Sequence, residues 1–153
     1  MARAVIWLAA AVLLALVAVA VAMRMVPSPP GDWHVDPSTL ETHDRRNAHL
    51  LTTADAPVYG LPATELALAL DAVARATPRT NRIAGAPEDL WTTYVVRSRI
   101  MGFPDYVSVR IAGLDDATAT LAIYARARFG RSDLGVNRAR VENWLAALRH
   151  FER

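Results

Sequence analysis

The sequence predicts an α+β fold behind a membrane-spanning helix, and three observations carry that expectation. A run of 20 residues without a charge, Ala4 to Met23, lies near the N-terminus. The middle of the chain then alternates apolar and polar residues with a period of two, which is the strand signature. The segments on either side of that region instead space their apolar residues in the helical way, as at Leu66, Leu70 and Val73. Together these predict a transmembrane helix, then a helix, an antiparallel sheet of four to five strands, and a C-terminal helix packed on one sheet face.

The uncharged run spans roughly 30 Å as a helix, the thickness of a hydrocarbon core. Arg3 and Arg24 bracket it, and Trp7 lies near one end, where an interfacial aromatic belongs. Ala18-Val19-Ala20 and Ala20-Val21-Ala22 have the form of a signal-peptidase site. A signal sequence, however, has an apolar core of only about 7–15 residues, so the longer run favours an uncleaved anchor. Arg3 and the free amine favour an N-terminus inside, and Arg24 opposes them. The expected location is the inner (cytoplasmic) membrane, single-pass, with the folded domain on the periplasmic side.

Pro27-Ser28-Pro29-Pro30-Gly31-Asp32 breaks the helix and reads as a short stiff spacer. Trp33 to Pro57 carries turn chemistry and little periodicity, which predicts an extended arm with a short strand near His49 to Thr52. Pro62 suits a first helical turn, so a helix is expected from Pro62 to Ala76, ended by Thr77-Pro78. Strands follow at Arg79 to Ala84, Trp91 to Ile100, Tyr106 to Ala112 and Thr118 to Phe129, with Gly113 to Asp116 turning between the last two. Connections this short favour antiparallel neighbours. The final helix is expected from Leu134 to Phe151, with Val136, Val141, Trp144, Leu145 and Leu148 inward, Asp133 as its cap, and Arg138 paired with Glu142. The organisation is therefore residues 1–26 as anchor, 27–60 as proline-rich spacer and extended arm, and 61–153 as one α+β domain.

All 17 basic residues are arginine and lysine is absent. Genomic base composition accounts for this in a chain so rich in alanine. Selection for planar, bidentate recognition of carboxylate or phosphate is the sharper alternative. With no cysteine, disulfides, zinc–thiolate sites and thiol nucleophiles are excluded.

Alternation also sorts the side chains. In Thr118 to Phe129 the odd positions, Ala119, Leu121, Ile123, Ala125, Ala127 and Phe129, form the core face. The other face carries Tyr124, Arg126 and Arg128, joined by Tyr106, Ser108 and Arg110 of the neighbouring strand and by Arg97 and Arg99 of the next. Five arginines and two tyrosines are thus expected on one sheet surface. That surface is either an ordinary solvated face or a site for an anionic lipid headgroup, a phosphate or carboxylate metabolite, or an acidic partner.

The turn before the last helix, Phe129 to Arg138, superficially suggests a phosphate loop or nucleophile elbow. Gly135 falls three residues after Ser132 rather than two, and a Walker loop needs a lysine. A capped strand-to-helix turn is expected instead. His34, His43, His49 and His150 have no metal-ligand spacing, so no metal and no cofactor is implied. The absence of basic clusters interleaved with aromatics argues against nucleic acid.

Two strings carry a family resemblance: Tyr94 to Tyr106, and Tyr124 to Glu142. They resemble the uncharacterised bacterial and plant family known as domain of unknown function 1499. Its G-F-x-D element matches Gly102, Phe103 and Asp105. Its longer stretch matches Arg128, Gly130, Ser132, Asp133, Gly135, Val136, Asn137, Arg138 and Arg140. Ala125 and Ala127 stand where the family usually has serine. The resemblance covers roughly Leu61 to Leu148, and it implies kinship without an established reaction.

The leading functional expectation is a membrane-anchored, non-enzymatic module. It would bind an anionic ligand or lipid headgroup through Arg97, Arg99, Arg110, Arg126, Arg128, Arg138, Tyr106 and Tyr124. Gly102, Asp105, Gly130, Ser132, Asp133, Gly135 and Asn137 would shape the motif. The alternatives are an enzyme using Asp105 or Asp133 as general base beside arginine, and a structural protein-interaction module of the cell envelope.

Overall fold

The computed structural model describes residues 1–42 and 45–153. The fold is α+β, built on one five-stranded antiparallel sheet. α1 (Ala2–Met25) has no buried residue, consistent with an apolar helix that meets the rest of the chain only at its C-terminal end, through Met23 and Arg24. It is the single helix among the described residues that is long and apolar enough to cross a membrane. A one-turn helix α2 (Pro30–Trp33) and a 3-10 turn (Pro37–Thr39) follow, the latter capped by the Asp36 carboxylate, which accepts from Ser38 N at 2.9 Å.

β1 (Ala48–Leu51) is an edge strand of the sheet, where a short strand was expected near His49 to Thr52. Then come α3 (Ala63–Ala76), β2 (Thr80–Ala86), β3 (Trp91–Arg97), β4 (Pro104–Gly113), β5 (Ala119–Ala127) and α4 (Val136–Leu148), which ends in a 3-10 turn (Arg149–Phe151). The strand order is β1-β5-β4-β3-β2, with the chain's meander from β2 to β5 completed by β1 on its outer edge. A register shift between Arg82 and Ala84 bends β2 at the other edge.

α3 and α4 both lie on one sheet face. Leu66, Leu70 and Ala74 of α3 and Val141, Trp144 and Leu148 of α4 pack with Tyr94, Val107, Val109, Leu121 and Ile123. The Tyr94 hydroxyl donates to the buried Asp71 at 2.8 Å, and Arg82 donates to the same carboxylate at 3.2 Å, so this polar pair within the core is satisfied.

Three expected details differ. β5 ends at Ala127, so Phe129 lies beyond the pleat and is 41% exposed instead of inward. β3 ends at Arg97, because the chain turns back through Ser98 to Phe103; Arg99 therefore belongs to an exposed turn and not to the strand face. α4 starts at Val136, which is exposed, and Asn137 takes the inward position.

Candidate functional site

The face opposite the helices carries Tyr106, Ser108 and Arg110 of β4 and Tyr124 and Arg126 of β5, as alternation requires. It is not open. Residues from Met23 to Thr39 lie across it, and Arg126 is only 3% exposed while Tyr106 and Ser108 are fully buried. Trp33 stacks on Tyr106 with ring centroids 3.7 Å apart and planes 11° from parallel. His34 stacks on Trp91 at 3.7 Å and shares a hydrogen bond with Thr93. Burial lowers the His34 pKa, against the opposing pull of Asp36 and Asp89.

The arginines answer the arm's backbone. An arm with only two short helical turns leaves most of its carbonyls without strand or helix partners, and each must find a donor. Arg126 Nη2 donates to Trp33 O at 2.8 Å, and its guanidinium lies over the Trp33 and Tyr124 rings at 5.3 and 4.8 Å. Arg128 Nη1 donates to Pro27 O at 2.6 Å. Arg97 Nη1 donates to Met23 O at 2.7 Å and Nη2 to Val26 O at 3.0 Å. Arg110 faces Asp36 at 3.7 Å. Arg138 is elsewhere, exposed on α4 and paired with Glu142 at 2.9 Å, as its spacing predicts. The structure thus joins Arg97, Arg110, Arg126, Arg128, Tyr106 and Tyr124 around the arm, and separates Arg99 and Arg138 from them.

Gly102 closes the corner where the arm begins. Its φ is +75°, which favours glycine, and a Cβ there would stand 2.5 Å from Arg24 Cγ, so the Arg24 side chain would have to move aside. Arg24 Nη2, passing over this glycine, donates to Ile100 O at 2.8 Å.

Beside this corner lies a groove of about 470 Å³ between the α3–β2 connection, the β3–β4 turn and the start of α4. Its walls include Arg79, Arg97, Arg99 and Arg140, one carboxylate, Asp105, and the apolar faces of Val96, Val136 and Trp144. Arg140 Nη2 donates to Asp105 at 2.9 Å, and its Nη1 donates to Asn137 Oδ1. Burial pushes the Asp105 carboxyl above its ordinary value, and the Arg140 guanidinium pulls it part of the way back.

Arg79 and Arg140 were absent from the site expected on sequence grounds. Arg140 lies within the family motif, which was the available signal. Arg79 carried none: it adopts a left-handed φ of 61° at the start of β2, and its Nε donates to Arg97 O at 3.0 Å.

The turn before α4 is a capping structure. Asp133 accepts from Asn137 N at 2.9 Å and Gly135 N at 3.2 Å. Partial burial opposes the shift, but these amides hold its carboxyl below the ordinary range. Ser132 Oγ accepts from Leu134 N, and Gly130 and Gly135 both have positive φ. Asn47, buried from the arm side, donates to Gly130 O at 2.7 Å and so ties the arm to this turn. Among the described residues no group of three or more His, Asp or Glu converges on one point; His43 lies outside them.

A family model described as a protein of unknown function (DUF1499) matches residues 32–148. The chain belongs to the DUF1499 family. The match begins at the arm, ahead of the Leu61 from which the resemblance was read, so the DUF1499 unit includes Trp33, His34 and β1 together with the sheet. A comparison with curated protein sequences gave no match. Among solved structures, the chain is similar to the di-domain ARO/CYC BexL from the BE-7585A biosynthetic pathway, at 15% identity and a TM-score of 0.46. That similarity covers 68% of this chain and 45% of the BexL chain.

Proposed function

We propose that this DUF1499 chain is a single-pass, membrane-tethered binding module that holds an anionic group in the groove beside α4. The tethered domain would stand on the periplasmic side of the inner membrane. The observation that carries this reading is the charge of the groove: four arginines line it, against one carboxylate that Arg140 already neutralises. Guanidinium groups match the planar, bidentate geometry of phosphate and carboxylate oxygens. Val96, Val136 and Trp144 beside them suit an anion carried on an apolar body. Arg126 and Arg128 on the sheet face have a different task in this reading, because they donate to the arm's carbonyls. Arg97 lines the groove but also donates to the arm, which leaves Arg79 and Arg99 as the groove's exposed cations.

Native mass spectrometry of the detergent-extracted full-length protein tests it. The wild type is expected to carry a co-purified anionic lipid or metabolite. The Arg79→Glu/Arg99→Glu variant, altered at two exposed groove residues, is expected to lose at least about tenfold in occupancy, the cost of reversing a charge-assisted pair. A wild type free of any bound anion, or an adduct that the double variant retains, removes the proposal.

A further inference from the structure

The end of the sheet that receives α1 also carries the domain's most exposed apolar side chains. Arg97 pairs with Pro104 where β3 passes to β4, and Asp105 pairs with Ala127 where β5 ends. The β3–β4 turn and the β5–α4 loop therefore emerge at the same end of the sheet. On the turn, Ile100 is 78% exposed and Phe103 is partly exposed; on the loop, Phe129 and Leu134 are exposed, Leu134 at 93%. The Phe103 and Phe129 rings meet at 6.1 Å. Leu134 also holds a φ of 53°, a region disfavoured for a bulky side chain, so the backbone is bent to present a leucine that nothing in the domain covers.

The end of α1 sits on this same corner. Arg24 donates to Arg99 O at 3.3 Å and Ile100 O at 2.8 Å, and Arg97 and Arg128 donate to the carbonyls of Met23, Val26 and Pro27. Those bonds set a depth. A turn within hydrogen-bond reach of the last residues of a spanning helix stands where that helix leaves the hydrocarbon.

Resting on the assignment of α1 as a membrane span, we propose that this end of the domain is a membrane-contact face. Ile100, Phe103, Phe129 and Leu134 enter the headgroup region, and the exposed Arg24, Arg99 and Arg131 meet anionic lipid phosphates. The partner is the bilayer surface itself. A charged rim around exposed apolar side chains fits that interface, whereas apolar groups fully exposed to water would be a liability. The opposite end of the sheet, with Leu114 in the β4–β5 turn, then points away from the membrane by about 30 Å, the length of a ten-residue strand.

The chain has no cysteine, so single-cysteine variants of the full-length protein label at one place only. Leu14→Cys, Ile100→Cys, Leu134→Cys and Leu114→Cys would each carry an environment-sensitive fluorophore. They would be reconstituted in phosphatidylcholine–phosphatidylglycerol vesicles with spin-labelled lipid quenchers at acyl-chain or headgroup depth. The Leu14 label is expected to be quenched by the acyl-chain probe. The Ile100 and Leu134 labels are expected to be quenched by the headgroup probe at least about twofold more than Leu114, since insertion of about 5–10 Å brings them within reach. Quenching at Leu14 with Ile100 and Leu134 no different from Leu114 overturns the contact face and leaves the span intact. No quenching at Leu14 overturns both. Ile100 and Leu134 labels that report an apolar environment only at high protein-to-lipid ratio, and escape both lipid quenchers, assign the face to a second copy of the chain and overturn the bilayer as its partner.

Discussion

Asp105 and Arg140 share a poorly solvated wall of the groove, with side chains 16% and 12% exposed. A carboxylate in that position is disfavoured by burial and retained by its guanidinium partner. Arg140→Met removes the partner and keeps the packing volume. It is expected to lower stability by about 3 kcal/mol at neutral pH, the usual cost of leaving one buried charge unpaired. The pH dependence has a definite sign. A carboxyl whose native pKa is raised above 3.8 favours the folded state when protonated, and loses that contribution as pH rises through the native value. The deficit of the variant relative to wild type should therefore shrink as pH is lowered toward 3.8, which denaturant titrations at several pH values would measure. A deficit that is constant with pH would mean that lost contacts, and not the Asp105 charge, set the cost.

The arm has two short helical turns of its own but is held on the sheet by side chains instead of by ladder bonds. Trp33 is its principal anchor, stacked on Tyr106, lying 5.3 and 5.5 Å from the Arg126 and Arg128 guanidinium carbons, and offering its carbonyl to Ser108 and Arg126. Trp33→Ala is expected to destabilise by about 2 kcal/mol, below the range for a fully buried tryptophan because Trp33 is only partly covered. The loss should be local before it is global. Hydrogen exchange should quicken in residues 26–42 and hardly change in α3, whose core contacts lie on the other face. Equal acceleration in both would show that the arm is part of one cooperative core.

For the whole molecule, α1 and the domain are nearly independent bodies of structure, since no α1 residue is buried. Removing residues 1–25 takes away the carbonyl of Met23 and the guanidinium of Arg24, and leaves the core and the Trp33 stack in place. Such a chain is expected to fold with its sheet intact and to lose about 1–3 kcal/mol, corresponding to a few modest hydrogen bonds. Circular dichroism and thermal melts would check this; a truncated chain without a cooperative transition would make α1 integral to the fold.

Much of the architecture was legible because it rests on local pattern. The uncharged run, the period-two alternation of β4 and β5, and the i, i+4 rows of α3 each depend on which face a side chain takes, and neighbours in sequence decide that. The Asp133 cap and the Arg138–Glu142 pair are equally local, formed within four residues. The candidate site was legible only in part. Alternation placed Tyr106, Tyr124 and Arg126 on one surface, but it could not say what lies over them, because residues such as Trp33 come within reach only across 93 positions. A segment without periodicity carries no signal for its docking partner. Arg79 and Arg140 line the groove together for the same reason, brought there by a fold in which α4 packs on α3 and β5. By itself, then, the sequence determined the apolar helix, the α+β order of elements and the two faces of the sheet. Only the tertiary structure decided that the arginine face holds the chain's own arm, and that Arg79, Arg97, Arg99 and Arg140 line one groove beside the end of α1. Face is set by neighbours along the chain, and cover by contacts that only a closed fold creates.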